Sequence, residues 1–172
     1  MKTNLLRVRM NVKMTSFIAT LFLSVFLLPA CRTSPDAAQE QRISNEIRTL
    51  LSDMSDSMKL AGLKGWVPFL ERAPEFRWSF HGVTIGYDTL IVQIGKEAPL
   101  YRSIDLKWDS IRVSPQSTAE IFMTARFAED LVDTAGVRTN SSGHVKSRVV
   151  KTARGWKFLQ GETVLDVRSS GE

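Results

Sequence analysis

Side chains able to do acid–base or nucleophilic work are scarce in this sequence. It holds two histidines, His81 and His144, and one cysteine, Cys31. Zinc sites draw on three or four such ligands, so no zinc-type cluster is expected. A phosphate-cradling glycine loop and a nucleophile elbow are both missing from the sequence, and no cofactor is implied. What remains is largely aromatic. Trp66, Trp78, Tyr87, Trp108, Phe122 and Trp156 are the types that line apolar ligand cavities, and equally the types that fill ordinary cores. Arg126 lies between Thr124 and Ala128 on the strand side that also carries Phe122. From there it could clamp a ligand carboxylate, or pair across strands on a solvated or dimer face. His81 follows a strand and is a candidate acid or base, against the reading of a surface histidine beside a turn. His144, next to Ser141, Ser142 and Gly143, reads as part of a hairpin loop.

Positioning these groups falls to an α+β chain. Ser34, Pro35 and Asp36 carry a helix-start pattern: a capping hydroxyl, a proline suited to the first helical position and a carboxylate near the positive end of the dipole. Ile43, Ile47, Leu50, Leu51, Met54 and Met58 then recur at steps of three and four, predicting one long amphipathic helix to about Leu60. Gly62 and Gly65 break it, and Trp66 to Leu70 reads as a short second helix ending near Pro74. Phe76 to His81 alternates apolar and polar residues as a strand does. Gly82 and Gly86 bracket a connection, and Tyr87 to Ile94 is predicted as a third helix closed by Gly95.

From Ser103 onward the pattern is strands. Ile104, Leu106 and Trp108 share one parity, which shifts to Ile111 and Val113 and predicts a β-bulge near Ser110. A turn at Pro115 to Ser117 precedes a long strand from Ala119 to Leu131, with Ile121, Met123, Ala125 and Phe127 on one side and Phe122, Thr124, Arg126 and Ala128 on the other. Both sides are expected to be at least partly covered. Asp133 to Gly143 reads as a hairpin loop, followed by a strand from Val145 to Lys151, a turn at Ala153 to Gly155, and a strand from Trp156 that Val164 to Val167 continues. The plan is a curved antiparallel sheet packed on about three helices.

Length and charge narrow the partners. A chain of 172 residues predicts one domain. The net charge of +5 is concentrated at the amino terminus: Lys2, Arg7, Arg9 and Lys13 stand without an acid in residues 1–30, and 19 Lys and Arg against 18 Asp and Glu follow. The part after residue 30 is near neutral and has no basic footprint for nucleic acid. The four cations precede an apolar run from Phe17 to Leu28, closed by Pro29 and Arg32, which is too short for an ordinary span and laid out as a secretory signal. Met10 or Met14 would also serve as starts, the first of them keeping Lys13.

The run ends in Leu28-Pro29-Ala30-Cys31, which resembles the lipobox of bacterial lipoproteins. That resemblance implies cleavage after residue 30, lipid on Cys31 and stable attachment to a membrane through several acyl chains. Arg32 is not the aspartate that signals inner-membrane retention in many Gram-negative lipoproteins, so an outer-membrane position facing the periplasm is expected in a cell that has one. The domain plan is then a signal peptide over 1–30, the lipidated cysteine with a short tether or helix start over 31–39, a folded domain over 40–167 and a tail over 168–172.

Over roughly residues 40 to 165 the chain resembles the nuclear transport factor 2-like superfamily, in particular its SnoaL-like branch. The resemblance rests on the long first helix, the Trp66 to Leu70 segment before a strand, the Gly86-Tyr87-Asp88 entry to a helix, the long bent strands and the late Gly155-Trp156-Lys157-Phe158 strand. It implies a cone with an apolar cavity at its open end, commonly a homodimer through the sheet. Asp105, Asp109, Glu120 and Asp130 do not match the isomerase pattern of that superfamily, and no catalytic role is carried over. Three functions stay open: a tethered module binding a small apolar or amphipathic ligand, an envelope isomerase, cyclase or hydrolase built on Arg126, Tyr87 and His81, and a scaffold dimerising through its sheet.

Overall fold

The first helix, α1 (Ala37–Ala61), starts on a carboxylate and not on a hydroxyl. In the computed structural model, which describes residues 35–166, Asp36 is the N-cap. Its side chain accepts from Gln39 N at 2.8 Å, and the Gln39 side chain accepts from Asp36 N at 3.2 Å. This reciprocal pair is a capping box. It overrides the expected start two residues earlier and leaves Pro35 just outside the helix; Ser34 lies outside the described residues. All six residues of the predicted stripe, Ile43 through Met58, are buried.

Behind α1 the chain tightens into a 3₁₀ segment, Gly62–Phe69. Gly65 permits this, since a Cβ there would stand 2.2 Å from the Ser57 carbonyl oxygen of α1. Strands β1 (Arg77–Phe80) and β2 (Val83–Ile85) then form a hairpin. Its two-residue loop, His81 and Gly82, has positive φ at both positions, 49° and 80°, the twist that two-residue hairpins favour. The stretch expected as a plain connection therefore holds a strand. Helix α2 (Tyr87–Glu97) runs through Gly95 instead of stopping there, and a 3₁₀ turn, Ala98–Leu100, leads into the long strands.

Those strands are β3 (Tyr101–Ser117), β4 (Glu120–Asp133), β5 (Arg138–Thr152) and β6 (Gly155–Leu165). The sheet order is β2-β1-β6-β5-β4-β3, antiparallel except where β1 lies parallel to β6. The β3 bulge sits where the parity shift predicted it. Asp109 pairs with Arg126 and Arg112 with Thr124, so Ser110 and Ile111 together oppose Ala125, and Ser110 takes φ 52°. A second bulge between Phe158 and Gln160 on β6 lets the adjacent Phe158 and Leu159 both be buried. Such bulges bend a sheet, and the concave side closes over α1 as a cone.

Several expected boundaries move. Pro115 to Ser117 belongs to β3, and the turn is Thr118-Ala119. The β4–β5 loop is only residues 134–137, because Arg138 already pairs with Val132; His144 is therefore a strand residue, paired with Arg126 and Val164. Of the helices, two are α-helical and the Trp66 segment is 3₁₀. Strand β4 is not covered on both sides. Ile121, Met123, Ala125 and Phe127 are buried, whereas Phe122, Thr124, Arg126 and Ala128 are exposed.

Candidate ligand cavity

A cavity of about 310 Å³ opens between the concave face of the sheet and the helical layer. Met54 and Met58 of α1 form one wall, with Leu63 and Trp66 of the 3₁₀ segment beside them. Trp78 and Phe80 of β1 continue it, facing Leu106, Trp108, Phe127 and Val145 across the sheet. Trp78 is held firmly. It is 2% exposed, its ring meets Trp66 edge-on at 5.0 Å and Phe158 at 5.7 Å, and its Nε1 donates to Thr163 Oγ1 at 3.0 Å. Gly161, its register partner on β6, makes room for it, because a Cβ there would come within 2.5 Å of the indole. A glycine inside a strand marks such close approach.

The polar lining is sparse and one-signed. Glu97 from the end of α2 and Glu129 on the inner face of β4 reach the cavity, with His81 from the β1–β2 loop and Tyr101 at the start of β3. Glu129 accepts a hydrogen bond from Ser141 Oγ. Among the described residues no ion pair engages Glu97 or Glu129, and no lysine or arginine lines the cavity. Trp108 Nε1 is buried without a hydrogen-bond partner. An indole N–H is a donor only and usually finds an acceptor when buried. A second recess of about 320 Å³ shares Leu63, Trp66, Phe80 and Glu97 with the first and adds Val83, Ile85 and Leu90.

Of the seven pocket candidates, the fold brings Trp66, Trp78 and Trp108 together around the cavity. The other four lie elsewhere. Tyr87, first residue of α2, meets Phe76 edge-on at 5.6 Å. Trp156 is buried beside α1, where its Nε1 donates to Glu46 Oε2 at 2.6 Å, and Lys151 Nζ donates to the same oxygen at 2.8 Å. These two hydrogen bonds, Lys151's first, hold the Glu46 carboxyl below its ordinary pKa. Phe122 and Arg126 stand on the convex face, because the even positions of β4 point away from the core. Arg126 pairs there with Asp166 at 2.9 Å. Thus Arg126, Tyr87 and His81 do not converge, and a reaction built on those three loses its geometry. Among the described residues, no group of three or more His, Cys, Asp or Glu could hold a metal ion.

Sequence reasoning missed Glu97 and Glu129. Glu129 was legible: it continues the parity of Ile121, Met123, Ala125 and Phe127, so a carboxylate falls on a face otherwise apolar. Glu97 had no such mark, because α2 extends a turn beyond its predicted end.

No family model matches the sequence, and neither does any curated protein. Solved structures do match. A candidate scytalone dehydratase from Novosphingobium aromaticivorans superposes with TM-score 0.66 at 15% identity, over 77% of this chain and 89% of that one. A nuclear transport factor 2-like superfamily protein from Salmonella enterica gives 0.64 at 13%, covering 77% and 99%. The fold is the nuclear transport factor 2-like cone. A third cone of this kind, a hexachlorocyclohexane dehydrochlorinase from Novosphingobium barchaimii, gives 0.60 at 11% over 76% and 91%. At such identities the likeness carries the nuclear transport factor 2-like fold and no chemistry. Cys31 and the lipobox lie outside the described residues, and no described helix is long and apolar enough to cross a membrane.

Proposed function

We propose that this chain is a bacterial lipoprotein, anchored through lipid on Cys31 in the cell envelope, whose nuclear transport factor 2-like cone holds a small apolar or amphipathic molecule. The carrying observation is the cavity. Its volume of about 310 Å³ falls within the roughly 300–1,000 Å³ of small-molecule sites, and it is about twice the engineered apolar cavity of about 150 Å³ that accepts benzene. A cone filled by its own side chains would have left no such space. The anchor rests on the sequence: four cations, an apolar run and a lone cysteine after Leu28-Pro29-Ala30.

Full-length protein extracted from its host's membranes is the material for the test. Organic extraction is expected to release a small apolar compound in near-stoichiometric amount. The reading fails if nothing is released and added 2-ethylnaphthalene moves no tryptophan indole N–H signal in the NMR spectrum. For the anchor, Cys31→Ser should shift the chain from the membrane fraction to the soluble one. Recovery of the unaltered chain in the soluble fraction would remove the lipid from the proposal.

A further inference from the structure

The β1–β2 hairpin places a second apolar space directly beside the cavity. Its tight turn at His81 and Gly82 pairs Phe80 with Val83 and Trp78 with Ile85. Residues paired across two strands share one face of the sheet, so Trp78 and Phe80 bring Val83 and Ile85 onto the concave side with them. The intervening pair, Ser79 and Thr84, turns outward, and its hydroxyls bond to each other at 2.6 Å. Trp78 and Phe80 line the cavity of about 310 Å³, and Val83 and Ile85 line the recess of about 320 Å³. Leu90 and Ile94 of α2, both buried, form the opposite wall of that recess. Leu63, Trp66 and Phe80 border both spaces.

These three shared residues make a ridge whose apolar surface is left uncovered. The Trp66 ring meets Phe80 edge-on at 6.3 Å and Trp78 at 5.0 Å. Leu63, Trp66 and Phe80 are nevertheless only half-buried, although Trp78 beside them is 2% exposed. Val83, on the edge strand, is 65% exposed. A contiguous apolar strip that the fold does not bury marks a binding surface, and covering it is favourable in proportion to its area. The polar side chains of the recess, Gln93 and Glu97, are both exposed, so the floor of the passage is apolar. A compact molecule would fill the cavity and leave the strip beyond the ridge wet, whereas a chain crossing the ridge covers both. We infer that one extended ligand of the long-alkyl-chain class occupies the two spaces, lying across Trp66 and Phe80 and ending against Val83 and Ile85. The hairpin then sets the length of ligand the protein accepts. This inference rests on the cavity being a binding site.

Hexan-1-ol and dodecan-1-ol, titrated into full-length protein and followed by NMR, separate the two spaces. The methyl signals of Val145 report on the cavity, and those of Val83 and Ile85 on the recess. Both alcohols are expected to move Val145, and only dodecanol to move Val83 and Ile85. Each methylene taken out of water adds up to about four-fold in affinity, so dodecanol should bind at least about 100-fold more tightly than hexanol. Val83→Asp puts a charge where the chain would end and should weaken dodecanol at least about ten-fold. Hexanol affinity should not change in that variant, which also reports that it is folded. Val92→Asp, at an exposed position of α2 that lines neither space, should leave both affinities as they are. Bound dodecanol that leaves the Val83 and Ile85 methyl signals in place overturns the inference, and this is read in the unaltered protein. So does dodecanol affinity that survives Val83→Asp. If neither alcohol moves Val145, the binding reading itself falls, and the inference with it.

Discussion

The protein treats two buried tryptophan N–H groups in opposite ways. Trp156 lies by the β5–β6 turn, the end of the long strands where Lys151 N also bonds to Ala119 O, and its indole donates to Glu46 Oε2. Trp108 lies toward the other end, where Tyr101, Leu131 and Leu165 line the cavity, and its indole donates to nothing. At the first end every polar group named has a partner: Glu46 takes Lys151 and Trp156, and Arg148 Nε pairs with Glu120 at 2.9 Å. The cavity end keeps an orphan donor and two carboxylates outside any ion pair among the described residues. The Trp156 indole is satisfied by a charged acceptor within the fold, whereas the Trp108 indole is sealed from solvent and unpaired, as Ser55 Oγ, Glu71 Oε2 and Ser147 Oγ are elsewhere in the protein.

The comparison breaks most severely if the wall between core and cavity moves. Gly161→Ala places a methyl group within 2.5 Å of the Trp78 ring, and that ring, nearly fully buried, has little freedom to retreat. We expect a loss of about 2–3 kcal/mol in urea unfolding, with altered indole signals for Trp66 and Trp78. A loss under about 0.5 kcal/mol would mean that the indole swings aside freely and that the cavity wall is not fixed.

Next in size is the satisfied end. Trp156→Phe removes the indole donor from Glu46 but leaves Lys151 in place, so no isolated charge results. The expected cost is about 1–2 kcal/mol, one hydrogen bond to a charged group. The same carboxylate gives a smaller, pH-dependent effect. Its folded-state pKa is lowered from the ordinary 4.5 by the hydrogen bonds from Lys151 and Trp156. The stabilisation it supplies is therefore complete above that ordinary value and lost as pH falls through the folded value. Comparing urea midpoints at pH 7 and in the acid range should show the unaltered protein losing more stability than Glu46→Gln, by less than about 1 kcal/mol for a carboxylate this exposed. Equal losses would show that Glu46 is not held by these partners.

How far this arrangement was legible depends on which period carried it. The α1 stripe and the bulge at Ser110 could be read because each is a local pattern: steps of three and four, and a parity shift from Trp108 to Ile111. The lining of the cavity by Trp66, Trp78 and Trp108 depends on strand pairings more than 80 residues apart in sequence, such as Trp78 with Gly161, which no local window contains. Parity alone placed Phe122 and Arg126 together on one face of β4, but it did not say which face was concave; the larger apolar residues on the odd positions decided that. The strand β2 was missed because three residues between glycines are too few for a period. His81 was read as turn-proximal, and it proved to be the turn itself, in the left-handed region that histidine tolerates better than most residues.

The smallest expected effect is the most informative for the contrast. Trp108→Phe deletes the orphan donor and keeps an aromatic ring against Phe127, so the loss of ring volume is offset by removal of an unsatisfied polar atom. Without ligand, the urea midpoint should stay within about 0.5 kcal/mol of the unaltered protein, where Trp156→Phe costs clearly more. That inequality is the measurable form of the difference between the two ends. A loss above about 1 kcal/mol at Trp108 would mean that its N–H already has a partner in the free protein, and the cavity end would then be as self-sufficient as the other.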